Sequence, residues 1–156
     1  MCAAWVVPRH APGRLNRFLW SGFGASVALL TVASAVLLVS RTMEFSGASF
    51  PSLGTYLPLV IGRTHYGLVW RWRMGAMGLL WLAWAAGRRE TRSLGTELSA
   101  GVALLVVVYS RSATGHAGDH GPFAVGVWVD MVHVLGSAVW VGTLFAMSLL
   151  VFPRLL

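Results

Sequence analysis

Histidines and aspartates cluster beside the ends of long apolar blocks in this chain. In chain order these residues are His65, His116, Asp119, His120, Asp130 and His133. Imidazole and carboxylate groups are common metal ligands. Such groups are costly inside a bilayer, so their presence at the end of an apolar helix indicates a function. The sequence therefore predicts a functional site where these blocks end.

Two spacings bring candidate ligands together. Asp130 and His133 are three residues apart and would share one face of a helix, where the carboxylate either ligates a metal or orients the imidazole. His116 and His120 are four apart, but the glycines around them favour a loop. We predict that His116, His133 and Asp130 are metal ligands and that His65 and His120 are further ligands. The alternatives are a hydrogen bond to a neighbouring helix for His133, a solvated turn for His116 and His120, and an ordinary interfacial position for His65.

Composition indicates a membrane protein. The chain has 156 residues, of which 56% are hydrophobic and 11% are charged. A soluble domain would carry about twice that charge. The net charge of +7 comes from arginines that lie mostly at the ends of apolar blocks, which is typical of membrane orientation signals and not of a nucleic-acid-binding patch. The single cysteine excludes an intrachain disulfide and a cluster of thiolate ligands.

The apolar blocks predict an all-α bundle of about four transmembrane helices in a single membrane domain. The predicted spans cover residues 18–40, 65–87, 98–114 and 123–152. A basic arm, residues 1–17, precedes them. Residues 41–64 contain several glycines and prolines, so we expect a loop there with one short helix near 56–61.

The distribution of arginine predicts the orientation. Three arginines lie in the arm and three in the run 88–92, which favours the cytoplasmic side for both segments. The segments 41–64 and 115–122 then lie outside, and all the candidate ligands come near the outer face. Arg71 and Arg73 follow His65 on the second span. We expect them to extend outward to water, or to pair with Asp119, Asp130 or an anionic ligand.

Three stretches resemble the copper resistance protein D (CopD) family membrane domain. The first is Thr64-His65-Tyr66-Gly67 followed by Arg73, which resembles the start of a family helix. The second is Thr114-Gly115-His116-Ala117, which is similar to the end of another. The third is Val129-Asp130-Met131-Val132-His133 with Trp140-Val141-Gly142. Together they cover roughly residues 50–153.

The resemblance implies a multi-pass helical protein of the bacterial inner membrane that handles periplasmic copper, usually with a soluble copper-binding partner. It makes His116, Asp130 and His133 shared polar positions and His65 a further one. Family members are expected to have more spans. We therefore expect this chain to act as an oligomer or as an accessory subunit of a larger membrane complex.

These observations predict a non-enzymatic protein that binds copper at its outer face and passes it across the membrane or to a partner. A b-type haem protein is the first alternative, with His65 or His116 and His133 as axial ligands. The second alternative is a structural subunit without a cofactor, in which the polar residues only fasten helices together.

Overall fold

The computed structural model describes residues 13–47, 49–89 and 93–150. Its helices are α1 (Gly13–Ser46), α2 (Leu53–Arg63), α3 (His65–Arg88), α4 (Leu94–Ala113) and α5 (Val125–Leu150). Short 3₁₀ turns occur at Phe50–Ser52 and His116–Gly118. The described residues contain no β-strand, which confirms the predicted all-α fold class.

Three of the described helices are long and apolar enough to cross a membrane. They contain the segments Arg17–Ser46, Leu94–Ala113 and Val125–Ser148. Helix α3 has 24 residues but carries Arg71 and Arg73 and is not among the three. Its membrane crossing, and with it the four-span arrangement, stays a prediction. Residues 1–12 of the predicted arm, and the last residues of the predicted fourth span, lie outside the described residues.

Helix boundaries differ from the predicted spans at the first helix. Helix α1 begins at Gly13 and continues to Ser46, so it includes residues assigned to the arm and to the first loop. The short helix expected near residues 56–61 lies within α2. Thr42 and Ser46 donate their hydroxyl hydrogen bonds to the carbonyls of Leu38 and Thr42, at 2.8 and 2.6 Å. These polar side chains are therefore satisfied inside the helix and do not end it.

The helices pack in the order α1, α3, α4, α5, with α3 and α4 in the most extensive contact. Helix α2 lies against α1 and α3. The core between α1, α3 and α4 consists of Trp20, Phe23, Val27, Ala76, Met77, Leu80, Ala83, Ala100, Ala103 and Val107. Four of these residues are alanines on α3 and α4. Such small side chains let two helices approach closely, which is how helices associate in a bilayer.

Tryptophans of α3 fasten α1. The indole Nε1 of Trp84 donates to the carbonyl of Trp20 at 2.9 Å, and that of Trp70 donates to the carbonyl of Ser34 at 3.2 Å. Gly24 of α1 lies directly against the Trp84 ring, where a Cβ atom would overlap it. The close approach at Gly24 and the two hydrogen bonds from indole groups therefore hold α1 against α3.

Helix α5 is held through its first turns. Tyr109 of α4 donates its hydroxyl to the carbonyl of Pro122 at 3.0 Å, and its ring stacks on Phe123 and contacts Trp128. Val127 is fully buried. The most apolar stretch of α5 is otherwise exposed in the single chain. The beginning of α5 is therefore anchored beside the end of α4.

Candidate functional site

A cleft of about 390 Å³ lies at one end of the bundle. The end of α1, the start of α3, the end of α4 and the turn after it form its walls. Its lining residues are Phe45, Thr64, His65, Tyr66, Ala113, Thr114, Gly115, Gly118 and Asp119. Residues far apart in the sequence therefore meet at this end, and most of them belong to the short polar segments that connect the helices.

The junction of α2 and α3 fixes His65 and Tyr66 on the cleft. Thr64 is the N-cap of α3: its Oγ1 accepts a hydrogen bond from the Gly67 amide at 2.9 Å and donates to the Val60 carbonyl at 2.7 Å. Gly67 packs against the backbone of α2, where a Cβ atom would overlap the Val60 carbonyl. Only glycine fits this contact, so the chain can turn sharply from α2 into α3.

The turn after α4 is built on glycines, as predicted for this segment. The Gly118 amide donates to the Gly115 carbonyl at 2.9 Å, and a Cβ on Gly118 would overlap the carbonyl of Ala113. Gly121 has a φ of +116°, a conformation that favours glycine. This compact turn brings Asp119 back onto the cleft beside the end of α4.

Arg73 is buried between α3 and α4, with 3% of its surface exposed. Its Nε donates to Ser110 Oγ at 2.8 Å, and its Nη2 donates to the Ser110 carbonyl at 2.8 Å and to Thr114 Oγ1 at 3.1 Å. The prediction that Arg73 extends to water is therefore wrong. The alternative of a pair with Asp119 or Asp130 is also wrong, because within the described residues its polar partners are neutral oxygens. Arg71, in contrast, is exposed.

The predicted metal ligands occupy three places. His65 is exposed on the cleft wall. His116 begins the 3₁₀ turn, and its Nδ1 lies 3.6 Å from Asp119 Oδ2, with both side chains largely exposed. His120 is exposed in the same turn. Asp130 is half-buried and His133 is exposed on α5, and neither lines the cleft.

In the described part of the chain, histidine, cysteine and acidic side chains form no group of three or more that could hold a metal ion. The closest association is the pair of His116 and Asp119, with His65 on the same cleft as Asp119. The structure thus brings part of the predicted ligand set to one end of the bundle. A metal site that contains all five predicted ligands stays a prediction.

A family model for the copper resistance protein D-like N-terminal domain matches residues 1–127. The chain belongs to this family. Searches of curated proteins and of solved structures give no match. The resemblance recognised in the sequence is confirmed, and it assigns this membrane protein a role in copper resistance or transport.

The matched range clarifies which motifs belong to the copper resistance protein D-like domain. It includes the whole cleft, with His65, Arg73, His116 and Asp119. It ends at residue 127, before Asp130 and His133, so the likeness of the third stretch to the family stays a prediction.

Some cleft residues of this copper resistance protein D-like chain were not assigned to the site from sequence. Asp119 is not among the five predicted ligands, and Tyr66 enters the sequence analysis only as part of a motif. The signal was present, because Thr64, Tyr66 and Gly67 form one motif and Thr114 and Gly115 open the other. These two motifs meet across the cleft.

Proposed function

We propose that the chain binds copper at the end of the bundle that carries the cleft, on the extracytoplasmic side of the bacterial inner membrane. From there it passes copper across the membrane or exchanges it with a soluble periplasmic copper-binding protein. The observation that carries the proposal is that His65 and Asp119 line one cleft and that the His116 imidazole lies 3.6 Å from Asp119. In this proposal the chain binds and transfers copper and catalyses no reaction.

The chemistry of these side chains suits copper. Neutral imidazole nitrogen is a good copper ligand. A carboxylate that accepts the second N–H of a ligating imidazole orients the ring and raises its basicity. In the proposal Asp119 takes this role for His116, since its Oδ2 lies 3.6 Å from His116 Nδ1. The imidazoles of His65, His116 and His120 are exposed, so copper can reach them from water without entering the bundle.

Asp130 and His133 complete the proposed ligand set from α5. The first turns of α5 lie beside the end of α4, because Tyr109 binds Pro122 and packs on Phe123. Asp130 and His133 follow as the sixth and ninth residues of α5. In the proposal they receive copper from the exposed histidines at the entrance, which makes them the ligands nearest to a path through the membrane.

The proposed assembly is an oligomer, or a subunit of a larger membrane complex. The apolar stretch of α5 contacts little of the chain itself and presents Val132, Val139 and Trp140 outward. In the bilayer this surface contacts lipid or neighbouring membrane helices. In such an oligomer or complex, this small bundle would form part of a copper path through the membrane that it does not form alone.

Elemental analysis of the detergent-purified chain tests the proposal. We expect copper bound in near-stoichiometric amount, and reduced copper in His116→Ala and His133→Ala. His10→Ala, which changes a histidine in the predicted cytoplasmic arm, is the matched control and should keep full copper. Unchanged copper in both site variants would overturn the proposed site. Iron in place of copper, with sharp visible bands on reduction, would identify a haem protein instead.

A further inference from the structure

Two arginines lie beside the wall of the cleft, and the described residues do not fully balance their charge. Arg73 lies behind the cleft wall that Thr114 forms, and Arg111 lies beside Gly115, where a Cβ would be 2.8 Å from Arg111 Nη1. Neither guanidinium forms an ion pair within the described residues. Two cations therefore converge on one wall of the cleft.

The neighbouring carboxylates balance only part of this charge. Glu44 accepts a hydrogen bond from Arg41 at 2.7 Å, and Asp119 lies 3.6 Å from the His116 imidazole. Even if Asp119 offsets one guanidinium, one positive charge remains. A buried charge is costly unless it is paired. The 3% exposure of Arg73 thus makes a bound counter-ion favourable.

Hydrogen-bond donors also remain available on this side of the cleft. Ser110 and Thr114 accept hydrogen bonds from the Nε and Nη2 groups of Arg73, whereas its Nη1 makes no hydrogen bond to the described residues. The Tyr66 hydroxyl likewise has no hydrogen-bond partner among them, although its ring is held by an edge contact with Phe45. Free hydrogen-bond donors next to uncompensated cations are typical of a site that binds an anion.

We propose that the cleft binds one small monovalent anion, held by Arg73 and Arg111 and by the Tyr66 hydroxyl. One net positive charge calls for one negative charge, which is why a halide-sized or carboxylate-sized monovalent ion fits better than a phosphate dianion. The anion shares the cleft with the proposed copper ligands His65 and Asp119. It uses different groups, because hydrogen-bond donors and cations bind an anion whereas copper ligands are electron-pair donors. The anion site goes beyond the proposed function and does not depend on it.

The test uses the copper-free full chain in detergent, with chloride as the probe. Chloride-35 NMR reports binding as a broadening of the chloride line. We expect saturable broadening that bromide displaces. Arg111→Gln should weaken chloride binding roughly tenfold, equivalent to about 1.4 kcal/mol, and Tyr66→Phe should weaken it less. Arg73→Gln should abolish it.

The control is Arg71→Gln, which removes the same charge from an exposed position on the same helix as Arg73. It should bind chloride as the original chain does. If Arg73→Gln fails to fold, as judged by circular dichroism, the other two variants decide the question, because Arg111 is exposed and Tyr66 is half-buried. Equal binding in Arg111→Gln, Tyr66→Phe and the original chain would overturn the proposal. Equal losses in Arg71→Gln and Arg111→Gln would also overturn it, because they would show a diffuse charge effect.

Discussion

Arg73 on α3 and Ser110 on α4 are joined by two hydrogen bonds of 2.8 Å, one to the serine hydroxyl and one to its carbonyl. Ser110 lies in the last turn of α4, where carbonyl groups begin to lack partners in the helix. The guanidinium therefore meets the negative end of the α4 dipole. This contact fixes the two helices beside the cleft, so it couples the stability of the bundle to the geometry of the site.

Ser110→Ala should destabilise the chain, because it leaves the Nε of a buried guanidinium without an acceptor. An unsatisfied buried donor costs about 1–3 kcal/mol. The matched control is Ser112→Ala on the same helix. Ser112 is also fully buried, but its hydroxyl has no hydrogen-bond partner among the described residues, so its removal should be neutral or stabilising. Thermal unfolding in detergent, followed by circular dichroism, measures both. Equal losses would show that the hydrogen bond to Ser110 is unimportant.

Gly67→Ala should disrupt the junction of α2 and α3, because the added Cβ would overlap the backbone carbonyl of Val60. Backbone cannot move aside as a side chain can, so we expect a loss of several kcal/mol, of the order of overpacking in a core. Gly75→Ala on the same helix meets open space and should gain up to about 1 kcal/mol from helix propensity. The two melting temperatures should therefore move in opposite directions. Similar shifts would contradict the close contact at Gly67.

The fold class could be predicted from the sequence, because uninterrupted apolar blocks leave the backbone few choices other than helices in a membrane. The extension of α1 to Ser46 could not, since its polar residues look like a loop until their hydroxyls bond to preceding carbonyls. The glycine-built turn at Gly115 and Gly118 was predictable from local chemistry. That this turn and Tyr66 line one cleft was not, because it depends on the packing of α3 against α4.

The burial of Arg73 was the least predictable feature of the site. Ser110 is distant along the chain, and no periodicity in the sequence marks it as an acceptor. By contrast, the neighbouring Arg71 is exposed, as expected for an arginine on an apolar helix. Two arginines of one segment thus have opposite surroundings because they face different sides of α3.

Asp119→Asn should lower copper affinity, if Asp119 orients His116 as proposed. Removing a carboxylate that orients a ligating imidazole typically costs about 10–100-fold in affinity. Glu44→Gln is the charge-matched control, since Glu44 is an exposed acid on α1 that pairs with Arg41. Competition with a copper chelator of known affinity measures both variants. A comparable loss in Glu44→Gln would indicate a general effect of negative charge and would exclude the orienting role of Asp119.

Cysteine labelling tests the predicted topology, because Cys2 is the only natural cysteine and Cys2→Ser gives a background without thiols. In that background, Ser49→Cys and His120→Cys should react with a membrane-impermeant maleimide added to intact cells. Thr91→Cys, within the arginine-rich run 88–92, should react only after lysis.

This alternation requires both α3 and α4 to cross the membrane. It therefore tests α3, which is not among the three helices that are long and apolar enough to cross a membrane. Reaction of Ser49→Cys only after lysis, as for Thr91→Cys, would show that α3 does not cross. The cleft would then lose its proposed position, because its walls come from the start of α3 and the end of α4.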